Sequence, residues 1–72
     1  MNDSYTKDRR KLTERLIEAR ESVPLTQRQV AATGIISQSE LSKLEGGKRK
    51  VDFLVLVRLA KLYKKDISFF KP

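Results

Sequence analysis

Apolar residues at Leu12, Leu16, Ala19 and Val23 return at helical intervals along one side of the stretch that begins at Lys7, and Pro24 stops it. This predicts a first helix. The pattern then shortens: Val30 and Ala31, followed by Leu41 and Leu44, mark the inner sides of two brief helices, with Ile36 between them as a plug for the turn. A hydroxyl residue opens each of these, with an amide or carboxylate three places on: Thr26 with Gln29, and Ser37 with Glu40. Capping boxes of this kind place the helix starts near Gln27 and at Gln38. Two capped helices separated by a few residues around Gly34 make a helix-turn-helix signature over about residues 26–46. Ala31 and Ala32 let the pair approach closely.

Asp52 is a fair N-cap for a further helix from Phe53 to about Tyr63, and Asp66 for a last turn, Ile67 to Phe70. Phe53, Leu56, Leu59, Ala60 and Tyr63 form an inward stripe, beneath which Ile67 and Phe70 close the core. Leu54, Val55, Val57 and Leu62 are apolar as well, so this helix needs cover on more than one side. Two covers are open. A homodimer seam through Leu54, Leu62, Phe69 or Phe70 is one, and the last turn folding back within a single protomer is the other. The polar residues 1–6 are predicted to fray. The fold expected is all-α, a compact bundle of about five short helices around the central helix-turn-helix, in one domain spanning 1–72.

Composition narrows the chemistry. The chain has no cysteine and no histidine, which argues against a disulfide framework, a zinc site and most acid-base chemistry near neutral pH. Its carboxylates are scattered, and no Gly-rich phosphate loop precedes a helix. The sequence therefore reads as non-enzymatic, with no cofactor, no metal and no evident small-molecule site. Sixteen Lys and Arg against nine Asp and Glu give a net charge of +7, which favours a polyanionic partner, nucleic acid or an anionic membrane surface. The first helix has too little apolar area to be a persuasive membrane binder. No apolar run approaches the roughly 20 residues of a membrane span, and no signal core opens the chain, so the expected location is cytoplasmic.

The charge and the motif meet on the second short helix. Ser39, Ser42, Lys43 and Gly46 fall opposite Leu41 and Leu44, giving a small, polar, basic face. Such a face can lie deep in a major groove, where Ser, Gln and Lys bond base edges; it can equally be an ordinary solvated face. Directly after it, Gly46 and Gly47 end the helix, and Lys48, Arg49 and Lys50 follow as three consecutive cations. These are the candidate phosphate clamp. If each neutralises one phosphate, their joint removal flattens the salt dependence of binding by up to about 2.7 log units per log unit of salt. Lys7, Arg9, Arg10 and Lys11 make a basic start to the first helix that can rest on phosphates or be solvated beside Glu14 and Glu18.

From about Arg15 to Phe70 the chain resembles the helix-turn-helix domains of the Cro and phage-repressor family, also called XRE. The resemblance rests on Leu25-Thr26-Gln27, on Ser37-Gln38-Ser39 and on Leu44-Glu45 followed by Gly47, all at the family's spacings without a gap. It implies a lambda-repressor-like fold that binds double-stranded DNA as a dimer, each protomer reading a half-site about one helical turn from the other. It also implies a bacterial or phage, nucleoid-associated setting. By the same resemblance Gln27 anchors to backbone phosphate and braces Gln38, which reads a base together with Ser39, Ser42 and Lys43. Phosphate contacts are expected from Gln27, Arg28, Lys48, Arg49, Lys50 and Arg10. Arg20 and Glu45 are expected to form a structural ion pair between the first helix and the end of the recognition helix.

The chain departs from the family in two places. The turn glycine stands one position early, as Gly34 followed by Ile35, so the turn is either shifted or entered through Gly34, because β-branched Ile35 disfavours positive φ. Glu40 stands where relatives often carry a neutral or aromatic side chain. It is assigned to the helix cap, the alternatives being acceptance from a cytosine amino group or repulsion of phosphate. The function implied is sequence-specific transcriptional regulation, most simply repression from a pseudo-palindromic operator. The alternative is an antitoxin-type or protein-interaction module, or the DNA-binding part of a longer repressor controlled by a partner protein.

Overall fold

Helix α1 spans Asp3–Ser22 in a computed structural model that describes residues 3–72. The expectation of a frayed start is corrected from Asp3 onward: these residues are the first turn of α1, while Met1 and Asn2 lie outside the described residues. Only Tyr5 is apolar in this turn, so no periodicity announces it. Once Leu16 and Ala19 are packed, at 1% and 0% exposure, each residue added upstream gains a backbone bond without a new nucleation cost. The Arg9 guanidinium lies 6.0 Å from the Tyr5 ring centre and ties the first two turns together.

Pro24 follows α1, and the Leu25 N–H turns back to the Arg20 carbonyl at 3.0 Å. Helix α2, Gln27–Ala32, then opens with the full capping box: Gln29 N–H donates to the Thr26 hydroxyl at 3.1 Å, and Thr26 N–H donates to the Gln29 side chain at 2.8 Å. Gly34 carries the turn at φ +84°, a left-handed conformation that costs glycine nothing. Ile35 keeps negative φ, so the turn is entered through Gly34. Helix α3, Gln38–Glu45, starts where Ser37 accepts from the Glu40 N–H. Val30, Leu41 and Leu44 meet between α2 and α3 with at most 2% exposure, and α3 in turn packs on α1. Burying each such side chain stabilises the fold by about 1.5–3 kcal/mol.

Helix α4, Phe53–Leu62, is capped by Asp52, which accepts from the Val55 N–H. A 3-10 turn, Ile67–Phe70, returns to pack on both α1 and α4. No strand and no helix long and apolar enough to cross a membrane occurs among the described residues. Leu59, Ala60, Tyr63 and Phe70 are core, but Phe53 is 72% exposed, which corrects its placement on the inward stripe. It is the first residue of α4, and among the described residues the element that packs on α4 is the returning turn that follows its other end.

The end of α4 contains the one non-glycine residue with positive φ among those described, Lys64 at +59°. Lys65 N–H bonds the Ala60 carbonyl at 2.9 Å and Lys64 N–H the Lys61 carbonyl at 3.1 Å, a Schellman cap that demands this conformation. The left-handed region costs an L-residue about 1 kcal/mol, part of which a glycine's extra unfolded-chain freedom offsets. Lys64→Gly is thus expected to raise the melting temperature by a few degrees, at about 4–8 °C per kcal/mol in a domain of this size. A calorimetric scan unchanged or lowered by the substitution would remove the strain from this position.

Candidate nucleic-acid interface

The outer side of α3 is built by the burial of its inner side. Leu41 and Leu44 are sealed at 0% and 2% exposure, which turns Gln38, Ser39, Ser42 and Lys43 to solvent as one strip. Among the described residues none of these four side chains bonds another group of the protein, so their donors and acceptors are uncommitted. The strip is small at Ser39 and Ser42 and cationic at Lys43, a relief that a major groove about 12 Å wide can admit.

Behind the strip lies a polar knot that fixes its angle. Glu45, the last residue of α3, has only 5% of its side chain exposed, and Arg20 of α1 has 13%. Arg20 Nε donates to Glu45 Oε2 at 2.8 Å and its Nη2 to Oε1 at 3.0 Å, a bidentate pair, while Nη1 donates to the Leu25 carbonyl at 2.8 Å. Gln27 Nε2 adds a bond to Glu45 Oε1 at 2.9 Å. Three elements, α1, α2 and α3, are thereby joined at one carboxylate. The hydrogen bonding of Arg20 to Glu45 outweighs burial and holds Arg20 above its ordinary pKa. Burial, followed by the negative charge of Glu45, pushes the nearby Tyr63 hydroxyl up to about 12, so it stays neutral.

The loop after α3 turns at Gly47, φ +74°, where Lys48 N–H bonds the Lys43 carbonyl at 2.9 Å. Lys48, Arg49 and Lys50 are all exposed beyond it. Arg49 reaches back to α3 and donates to the Glu40 carboxylate. Hydrogen bonding from Arg49 and then its charge hold that carboxylate below the usual range, with smaller help from Ser37. Ser37 supplies the helix cap, while the Glu40 side chain is engaged with the loop. Arg10 and Arg28 are exposed. Arg9 and Arg10 line a crevice of about 300 Å³ against the Gly46–Gly47 backbone, where Arg9 donates to the Gly47 carbonyl at 3.4 Å.

Residues 16–70 match the sequence model of the helix-turn-helix family of the Cro/C1 type. The chain belongs to this XRE family. It is accordingly a DNA-binding transcription regulator, of a family concerned with DNA-binding regulation and not with catalysis. Comparison with curated proteins and with solved structures returns no match. Gln27 gives its amide to Glu45, and no hydrogen bond joins it to Gln38 among the described residues.

The structure brings Arg20, Gln27 and Glu45 together and aligns the four candidate base readers; it disperses the candidate seam. Phe70 is 2% exposed within one protomer, which corrects its assignment to a dimer contact. Phe69 is half-buried, with Arg15 at 5.0 Å and Lys65 at 5.1 Å from its ring centre, and Leu62 is half-buried too. Leu54 stays 57% exposed, next to exposed Phe53. Two features carried no sequence signal: the Glu40 to Arg49 pair, nine residues apart, and the approach of Arg9 to Gly47, thirty-eight apart. Only the tertiary fold defines the second.

Proposed function

We propose that this XRE protein is a repressor that reads a pseudo-palindromic operator as a homodimer and acts by covering a promoter. The observation that carries it is the uncommitted strip Gln38, Ser39, Ser42 and Lys43 on a helix whose far end is locked by Arg20 and Gln27 through Glu45. In this reading Gln38, Ser39, Ser42 and Lys43 contact base edges, while Lys48, Lys50, Arg28, Arg10 and the N-terminal end of α2 at Gln27 meet phosphates. The DNA-bound protein resides on the nucleoid.

One recognition helix reads only about 4 to 6 base pairs, too few to pick one site from a genome, so two copies are required for selectivity. Exposed Phe53 and Leu54 support a seam at the start of α4. The same patch serves the second reading, in which a partner protein docks there, as in an antitoxin-type module or a longer, partner-controlled repressor.

Selection of bound sequences from a random duplex pool tests the proposal. The expected result is a two-fold symmetric site with half-sites about one helical turn apart, or a multiple of it. A lone asymmetric half-site would favour the second reading, and a pool that never departs from random sequence would overturn both.

A further inference from the structure

Glu40 is the one carboxylate in the stretch 37–50 that is not buried, since Glu45 is enclosed and bonded by Arg20 and Gln27. It stands in the first turn of α3, beside the strip of candidate base readers, where a negative charge opposes approach to a polyanion. Its partner is Arg49, in the middle of the cationic loop, and both side chains are nearly half exposed, at 47% and 43%. A pair this open is not there to hold the fold together. Carboxylate and phosphate are also equivalent targets for a guanidinium, each offering two oxygens to its planar fork.

We propose that Glu40 is an intramolecular stand-in for phosphate that occupies Arg49, so that the loop meets DNA with one cation fewer than its sequence carries. The proposal rests on the DNA-interface reading above and deepens it, by naming the residue that sets how much of the binding is sequence-independent. Were Arg49 to take a phosphate, it would have to surrender the Glu40 carboxylate and leave that charge facing the DNA. The exchange of one anionic partner for another yields little net release of counterions, whereas Lys48 and Lys50 have no protein partner among the described residues and yield it in full. Loose, sequence-independent complexes live on that release alone. Glu40 thus lowers the background affinity against which the base contacts must be distinguished.

The test is the binding of a random-sequence duplex, followed by fluorescence anisotropy between about 50 and 200 mM monovalent salt, with each contact expected to contribute about 0.9 to the slope of log K against log salt. Glu40→Gln is expected to steepen the slope by about 0.9 and to tighten binding about 8-fold at 0.1 M salt, because one cation is released to phosphate. Adding Arg49→Gln is expected to erase that gain. Glu40→Ser removes the carboxylate by another route and is expected to give the same shift, with thermal melts of each variant marking the folded fraction. Weaker binding by both Glu40 variants would overturn the proposal, as Glu40 would then be orienting Arg49 onto DNA. A gain that persists without Arg49 would also overturn it, since the effect would then be one of net charge. Absence of any duplex binding by the parent protein would instead remove the interface reading on which the proposal stands.

Discussion

Replacing Gln38, Ser39, Ser42 and Lys43 together by alanine is expected to leave a folded protein that no longer distinguishes its preferred duplex from random sequence. Each well-formed base contact discriminates by about 1–3 kcal/mol. Three or four of them therefore account for the roughly 4–10 kcal/mol that separates specific from non-specific binding by proteins of this kind. Loss of all four should collapse a preference of about 1,000-fold or more to near unity, while affinity for random duplex, carried by the loop and helix-end cations, changes by less than about tenfold. The control is built into the substitution. All four side chains are exposed and bonded to no other described group, and alanine is the best helix former, so the variant should melt at or above the parent. Competition of labelled preferred duplex by scrambled duplex measures the ratio. A well-folded variant that keeps its preference would take sequence reading away from α3.

What could be read ahead in the chain was what short-range chemistry writes into it. Thr26 with Gln29, Ser37, Asp52 and Asp66 each accept a backbone N–H two or three residues on, and those local bonds set the start of α2, α3, α4 and the last turn. The inner faces of α2 and α3 were legible for the same reason, since both helices are polar on one side. Helix α4 is apolar nearly all round, so periodicity could not choose its buried face, and the stripe drawn through Phe53 ran past the end of the covering turn. The start of α1 was hidden because its first turns make few core contacts. At the interface, Arg20 and Glu45 were reached through family resemblance alone; twenty-five residues separate them, and nothing local links an arginine in one helix to a glutamate in another. At Glu40 only the smaller interaction with Ser37 at the cap is local in the sequence, while its main engagement, with Arg49, depends on how the loop folds back after Gly47.

Glu45→Ala is expected to be the most destabilising single change at the interface, although Glu45 itself touches no DNA in this reading. Removing the carboxylate leaves the Arg20 guanidinium, 13% exposed, with only the Leu25 carbonyl for a partner, and strands the Gln27 amide. Breaking a buried pair in this one-sided way costs about 3–5 kcal/mol, against a total stability of roughly 4–11 kcal/mol for a domain of this length. At about 4–8 °C per kcal/mol the melting temperature should drop by more than about 12 °C. The cost lies in the abandoned charge more than in the lost pair. Arg20→Met with Glu45→Leu, which removes both charges and keeps the volume, should therefore recover much of the loss. If the double variant is as unstable as Glu45→Ala, the knot stabilises through its geometry, and if neither variant shifts the melting curve, Glu45 does not anchor α3 to α1. A double variant that is stable but less selective on DNA would separate the two roles of this carboxylate, showing that the angle of the recognition helix, and not merely its existence, is what Arg20 and Gln27 maintain.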